Sequence, residues 1–305
     1  MKIDYLDVAE SRDLVRVYNE QLRNTPYFYP VLPDEFEDGV CNRNNPSNPY
    51  ADLHSEKIII GEHDSKVMGF AHVSIGELKN FGVLKQGGFI HFLTYQAGQR
   101  PIGQAILEEC EKYLHGLGVS QIWAFWNASN YRFYHLGFGY LSDKMGHVYG
   151  LFRMNKYDID IGEIFMSYPE YNIIEPMLYD KDTKIVVEHK PGRSVLPNLH
   201  ILAFRNEKSI GECYTVSAGE FCRANEVQDW FFTKWLGIED EEQGKGLGRY
   251  LLKRTLWEMR KIGYRNAVIS TNVKNYRAQL FYTNFGYQIV DTAYGLVKGE
   301  KHEMH

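Results

Sequence analysis

Three glycines fall within six residues, Gln243-Gly244-Lys245-Gly246-Leu247-Gly248, between an apolar, aromatic run (Trp230 to Ile238) and an amphipathic run. That order predicts a strand, a tight turn and the opening of a helix. Glycines let a backbone approach a ligand closely with its N–H groups outward. The first turn of a helix leaves amides unpaired and carries a partial positive charge. Together these features suit a pyrophosphate. Two common readings fail on spacing. A Walker A loop needs Ser or Thr after Gly-Lys, and here Gly246 follows. A dinucleotide fingerprint needs a glycine where this chain has Arg249.

The pattern that fits is the acyl-CoA loop, (Gln/Arg)-x-x-Gly-x-(Gly/Ala), through Gln243, Gly246 and Gly248. A strand, Ala267 to Val273, follows its helix, and then come Asn275, Ala278, Phe281-Tyr282 and Gly286-Tyr287. Loop, helix, strand and tyrosine motif in this order resemble the GNAT family, the GCN5-related N-acetyltransferases. The same order occurs earlier. Arg100, Gly103 and Ala105 fit the loop pattern. An amphipathic helix follows, with Ile106, Leu107, Cys110, Leu114 and Leu117 on one face and Gly118 as its stop. Then come a strand (Gln121 to Trp126), Asn127, Phe133-Tyr134 and Gly137-Phe138. The copies lie about 145 residues apart, near one domain length. Upstream of each loop a hairpin is predicted, around His63-Asp64-Ser65 and around Asn206-Glu207, followed by a delivering strand (Phe89 to Tyr95 and Trp230 to Ile238). Ser11 to Leu22 reads as a helix capped by Ser11, whereas residues 155 to 195 show no clean period.

The resemblance implies an α/β (α+β) fold of two tandem GNAT domains, residues 1–154 and 155–305, similar to the double-GNAT acetyltransferases of the mycothiol synthase type. Each domain is expected to hold a mixed, largely antiparallel sheet, flanked by helices and with a splayed strand pair at the acyl-CoA site. It further implies acetyl-CoA as cofactor and direct attack by an amine. The loop Gln243, Gly244, Lys245, Gly246, Leu247, Gly248 and Arg249 would hold the pyrophosphate. Backbone N–H groups near Leu236 and Ile238 would polarise the thioester, Asn275 would bond the cofactor arm, and Tyr282 would protonate the departing thiolate. Glu239, with Glu212 and Asp229 as alternatives, is the candidate base; His91 is its counterpart in the first copy. The second copy is expected to be catalytic. In the first, Pro101 removes an amide donor and Asn130 replaces the alanine. Arg100, Gly103, Ala105 and Asn127 there form either a weaker acyl-CoA site or a structural relic.

A net charge of −5 opposes nucleic acid or an anionic membrane as partner. It also opposes an aminoacyl-tRNA-dependent transferase, which needs a basic face and no CoA loop. A non-catalytic acyl-CoA sensor is the other alternative, opposed by Tyr282 and Asn275. Cys41, Cys110, Cys213 and Cys222 have neither zinc-site nor disulfide spacing. No apolar signal region opens the chain, so a cytoplasmic setting with no resident metal is expected. The acceptor amine and the oligomeric state are left open.

Overall fold

The computed structural model describes residues 1–41, 52–80, 83–126 and 131–299. The chain divides into two compact units, Met1–Glu163 with Asp291–His305, and Ile164–Val290. The first unit begins with β1 (Lys2–Leu6), α1 (Val15–Leu22), α2 (Pro33–Cys41), β2 (Leu53–His63), β3 (Lys66–Asn80) and β4 (Val83–Tyr95). It continues through α3 (Arg100–Gly116), β5 (Ile122–Ala124), β6 (Leu141–Ser142), α4 (Gly146–Met154) and the first half of β7 (Asp158–Tyr168). The second unit holds the rest of β7, then β8 (Lys184–Lys190), β9 (Asn198–Arg205), β10 (Lys208–Ser217), β11 (Trp230–Ile238), α5 (Leu247–Ile262), β12 (Asn266–Asn272) and α6 (Tyr276–Phe285). The last strand, β13 (Gln288–Lys298), starts in the second unit and from Asp291 belongs to the first.

In the first unit the sheet runs β1-β2-β3-β4-β5. Asp64 and Ser65, both with positive φ, close the β2–β3 hairpin as a two-residue turn of the type that matches strand twist. Helix α3 covers one face, with Ile106, Leu107, Cys110 and Leu114 fully buried. Leu117, expected on that face, is 38% exposed. Helices α1 and α2 cover the other face, where Tyr18 meets Phe36, Phe92 and Phe133 at centroid distances of 5.5, 5.6 and 5.1 Å. The first helical turn starts at Val8, earlier than Ser11, because Asp7 is the cap and its N–H donates to the Glu10 carboxylate.

The second unit repeats the plan as β8-β9-β10-β11-β12, with β7 beyond β12. Asn206 and Glu207, again at positive φ, close its hairpin. Leu247, Leu251, Leu252, Leu256 and Met259 of α5 are fully buried, each contributing roughly 1.5–3 kcal/mol of burial. One difference is large. Two helices separate β1 from β2, whereas β8 reaches β9 with no helix between. The sheet face opposite α5 therefore carries no helix of this kind, and Trp235 on it is 57% exposed. Among the described residues no helix is long and apolar enough to cross a membrane.

The final strand completes the first unit. Leu296 pairs with Ala124 and Ala293 with Ser142. Asp291 accepts a hydrogen bond from His135 Nε2 at 2.8 Å, both side chains being fully buried. Burial alone would raise the Asp291 carboxyl; the hydrogen bond and charge of His135, with Ser142 and Asp143, outweigh it and hold the group below its usual value. A depressed carboxyl gives stability above the unfolded value of about 3.9, lost as pH falls through the lower folded value. Asp291→Ala is expected to cost about 3–5 kcal/mol in urea unfolding of the full chain at pH 7; a loss under 1 kcal/mol would contradict this role.

Candidate active site

The site begins with one surplus residue. In β11, Trp235 pairs with Tyr214 and Thr233 with Thr215, so Lys234 is an unpaired bulge. On its other side β11 runs parallel to β12 from Trp230↔Asn266 only as far as Thr233↔Ile269. Past the bulge β11 stays with β10 while β12 leaves it, which opens the expected gap. The N–H of Glu239 donates to Ile210 O. By antiparallel alternation, residues 235, 237 and 239 bond β10, and the backbone groups of Leu236 and Ile238 point to the gap.

At the mouth of the gap lies the glycine turn. Gly244 and Gly246 take φ of +76° and +92°, and a Cβ at either would meet nothing within 4 Å. The space is open; the left-handed backbone is what demands glycine. At Gly248 a Cβ would stand 3.4 Å from Ile238, an ordinary contact, which is why alanine also suits this motif position. Helix α5 starts at Leu247 behind the left-handed Gly246, so the turn and the first helical amides form one cradle. Gln243 braces it, donating to Ile238 O at 3.2 Å and to the Asp240 carboxylate at 2.8 Å. Arg249 lies 5.8 Å from the Phe285 ring, which sets α5 beside α6.

Tyr282 points from α6 into the core, 7% exposed, between Phe281 and Tyr287 at 5.2 and 5.9 Å. Burial, reinforced by the nearby Cys213 thiol, pushes its phenol above the ordinary tyrosine value and keeps the proton on it. Asn275 caps α6, its Oδ1 accepting from Ala278 N–H at 3.1 Å. The carboxylates separate clearly. Asp229 bonds Asn266 Nδ2 at 3.2 Å at the start of β11, the end away from the gap. Glu239 is exposed at the far end, about 10 Å along the strand from Leu236. Glu212 pairs directly with Gly237. It lies on the face opposite α5, because its neighbour Gly211 faces Leu251 of that helix. His200 Nε2 bonds its carboxylate at 2.7 Å. Sequence reasoning passed over His200, since its partner lies on another strand.

The first unit has the same bulge. The β3–β4 register steps from Val73↔Ile90 to His72↔Phe92 across His91, and β4 pairs with β5 only as far as Ile90↔Ala124. Lys234 and His91 each stand nine residues before the first motif residue of their loop. A left-handed glycine, Gly98 at φ +88°, also precedes the helix here, but it lies outside the motif. Arg100, Gly103 and Ala105 lie within helix α3, with no left-handed glycine among them. A Cβ on Gly103 would come within 2.5 Å of the Tyr95 ring, so this glycine admits an aromatic side chain. His147 of α4 bonds Tyr95 O at 2.9 Å, and the Tyr95 hydroxyl donates back to His147 O at 2.9 Å. Gln104 and Asn155 exchange amide bonds of 2.9 and 3.0 Å. Tyr134, the counterpart of Tyr282, accepts from Ser142 N–H at 3.1 Å. His91 is buried with Ser74 Oγ at 2.7 Å. Asn127 and Asn130 lie outside the described residues.

A sheet that parts beside a glycine-opened helix is the plan this chain shares with solved GNAT folds. Residues 197–289 match the Acetyltransferase (GNAT) domain model. That stretch is similar to GNAT domains, and the fold of the chain is shared with a tandem GNAT protein. A tandem GNAT protein from the clavulanic acid biosynthesis pathway superposes at TM-score 0.68 and 11% identity, covering 99% of this chain and 100% of its own. The GCN5-related glucosamine N-acetyltransferase region of a fungal multidomain GH3 β-N-acetylglucosaminidase gives 0.67 and 13%, covering 97% of this chain. Only 38% of that fungal protein is spanned. A GCN5-related N-acetyltransferase from Sphaerobacter thermophilus gives 0.62 and 11%, covering 99% and 97%. No curated protein matches the chain in sequence. At the site, Asn275→Ala is expected to cost about 1 kcal/mol through loss of the cap, and Asn275→Asp to keep most of it, as read by thermal melting.

Proposed function

We propose that the second unit is an acetyl-CoA-dependent N-acetyltransferase acting on a primary amine, and that the first unit is a structural copy. The observation that carries this is that the second unit combines a gap between β11 and β12, a cradle whose motif glycine Gly246 is itself left-handed and open, and a buried tyrosine, whereas the first unit takes its motif residues into α3 and packs Tyr95 against Gly103. Acetyl-CoA supplies an acetyl group already activated as a thioester. The amides from Gly244 to Gly248 hold its diphosphate, with Lys245 and Arg249 adding positive charge. Leu236 and Ile238 direct N–H groups at the thioester carbonyl, and Asn275 Nδ2 bonds the arm.

Helices α5 and α6 occupy one face of the sheet, so the amine reaches the gap from the other, where Trp235 is exposed. The Trp235 indole lies over Gly237, 2.6 Å from where a Cβ would stand, and Glu212, oriented by His200, takes the ammonium proton in place of Glu239. The nitrogen bonds to the acetyl carbon, the carbon–sulfur bond breaks, and Tyr282 gives its proton to the sulfur. An amino sugar, the amine named for the fungal neighbour, is one acceptor to include in a screen of amines.

Thiol release from acetyl-CoA across an amine panel tests the reading, with inactivity towards every amine as the contrary result. Tyr282→Phe is expected to lower kcat at least about tenfold with little change in acetyl-CoA affinity. Full activity in that variant would remove the tyrosine from the mechanism. Calorimetry is expected to find one CoA per chain; a stoichiometry of two would return the first unit to the acyl-CoA sites.

A further inference from the structure

Four carboxylates in a row, Glu239-Asp240-Glu241-Glu242, precede the glycine cradle. Left unpaired, they would oppose any anion held there. Asp240 accepts from the Gln243 amide at 2.8 Å. Glu241 pairs with Lys208 at 3.1 Å. Glu242 is the enclosed one, its side chain 12% exposed. Its Oε1 accepts from Arg205 Nη1 at 2.6 Å, and Lys245 Nζ stands 3.4 Å from the same oxygen. Its Oε2 is buried with no hydrogen-bond partner among the described residues. Arg205, first, and Lys245 hold its carboxyl below the usual range, so it is ionised at neutral pH.

Arg205 is itself fixed, its Nη2 donating to Asp180 at 2.9 Å and to Thr183 at 3.2 Å. The adjacent Tyr179 donates to the Lys245 carbonyl at 3.0 Å, with its ring 5.5 Å from that of Tyr250. Arg205 and Lys208 flank the turn Asn206-Glu207. One hairpin tip therefore delivers two cations to the acidic run, and neither residue belongs to the loop motif.

We propose that Arg205 is a positioning residue for the cradle: by neutralising Glu242 it releases Lys245 and the loop amides to the diphosphate of acyl-CoA. The inference rests on the acyl-CoA reading above. Without Arg205, Lys245 is the only cation paired with Glu242 among the described residues, and an enclosed carboxylate repels nearby phosphates. If the charge of Glu242 is what Arg205 answers, removing that charge removes the need for Arg205.

The test is calorimetric titration of CoA into the full chain as wild type, Arg205→Ala, Glu242→Gln and the double variant, with thermal melts beside them. Arg205→Ala is expected to weaken CoA at least about tenfold, and more at low ionic strength. Glu242→Gln in that background is expected to restore affinity to within about threefold of wild type. Unchanged affinity in Arg205→Ala overturns the proposal. So does a double variant as weak as Arg205→Ala, which would make Arg205 a scaffold and no more. A wild-type chain that fails to bind CoA refutes the acyl-CoA reading, and this inference with it.

Discussion

Lys234 is one residue more than β10 can pair with, and everything at the site follows from where that surplus falls. A bulge bends its strand and raises the local twist. Here it comes just where β11 loses β12, so the two strands diverge and the polar backbone of Leu236 and Ile238 is turned to the gap. A flat continuation would have spent those groups on a ladder. The glycine turn and α5 then start within a few residues of the strand's end, which brings an amide cradle to the mouth of the same opening. Tyr282 reaches the core from the helix that follows β12, so the parted strands also set where the phenol stands.

The same bulge, at His91, leads to a different outcome in the first unit. There α3 begins at Arg100 and takes the motif residues into the helix. Tyr95 and His147 then bond each other across the space beside β4. The backbone plan is retained while side chains close it. The second unit shows the opposite choice on its other face: no helices intervene between its first two sheet strands, and a tryptophan and a Glu–His pair are left accessible. One copy takes its motif residues into a helix and core, and the other leaves the face of its gap opposite α5 exposed at Trp235.

Elements governed by near neighbours were legible in the sequence. β11 matches its predicted span, Trp230 to Ile238, residue for residue, because aromatic and β-branched residues bounded by turn residues leave little choice. Both hairpins turn where Asp64-Ser65 and Asn206-Glu207 predicted. The glycine cradle was readable because positive φ selects its residue. What escaped depends on distant partners. β13 pairs with β5 across more than half the chain, and no local pattern encodes that. α2 and α4 are short, and β7 and β8 lie in or beside a stretch of Tyr, Ile, Asp and Pro with no clean period. Arg205 stands outside every motif, and only the folded hairpin brings it to Glu242. The cap that Asn275 Oδ1 makes for α6 depends on where the helix starts, and it leaves the expected contact of this residue with the cofactor arm in place.

In the proposed complex the diphosphate sits on the Gly244 to Gly248 amides and the arm lies between β11 and β12 of the second unit. Amide hydrogen exchange with and without CoA tests it most directly, since it reads each segment separately. Slowed exchange across residues 236–250 and 270–282, with residues 90–105 unchanged, is the predicted result. Protection of residues 90–105, or no protection at the glycine turn, would contradict it.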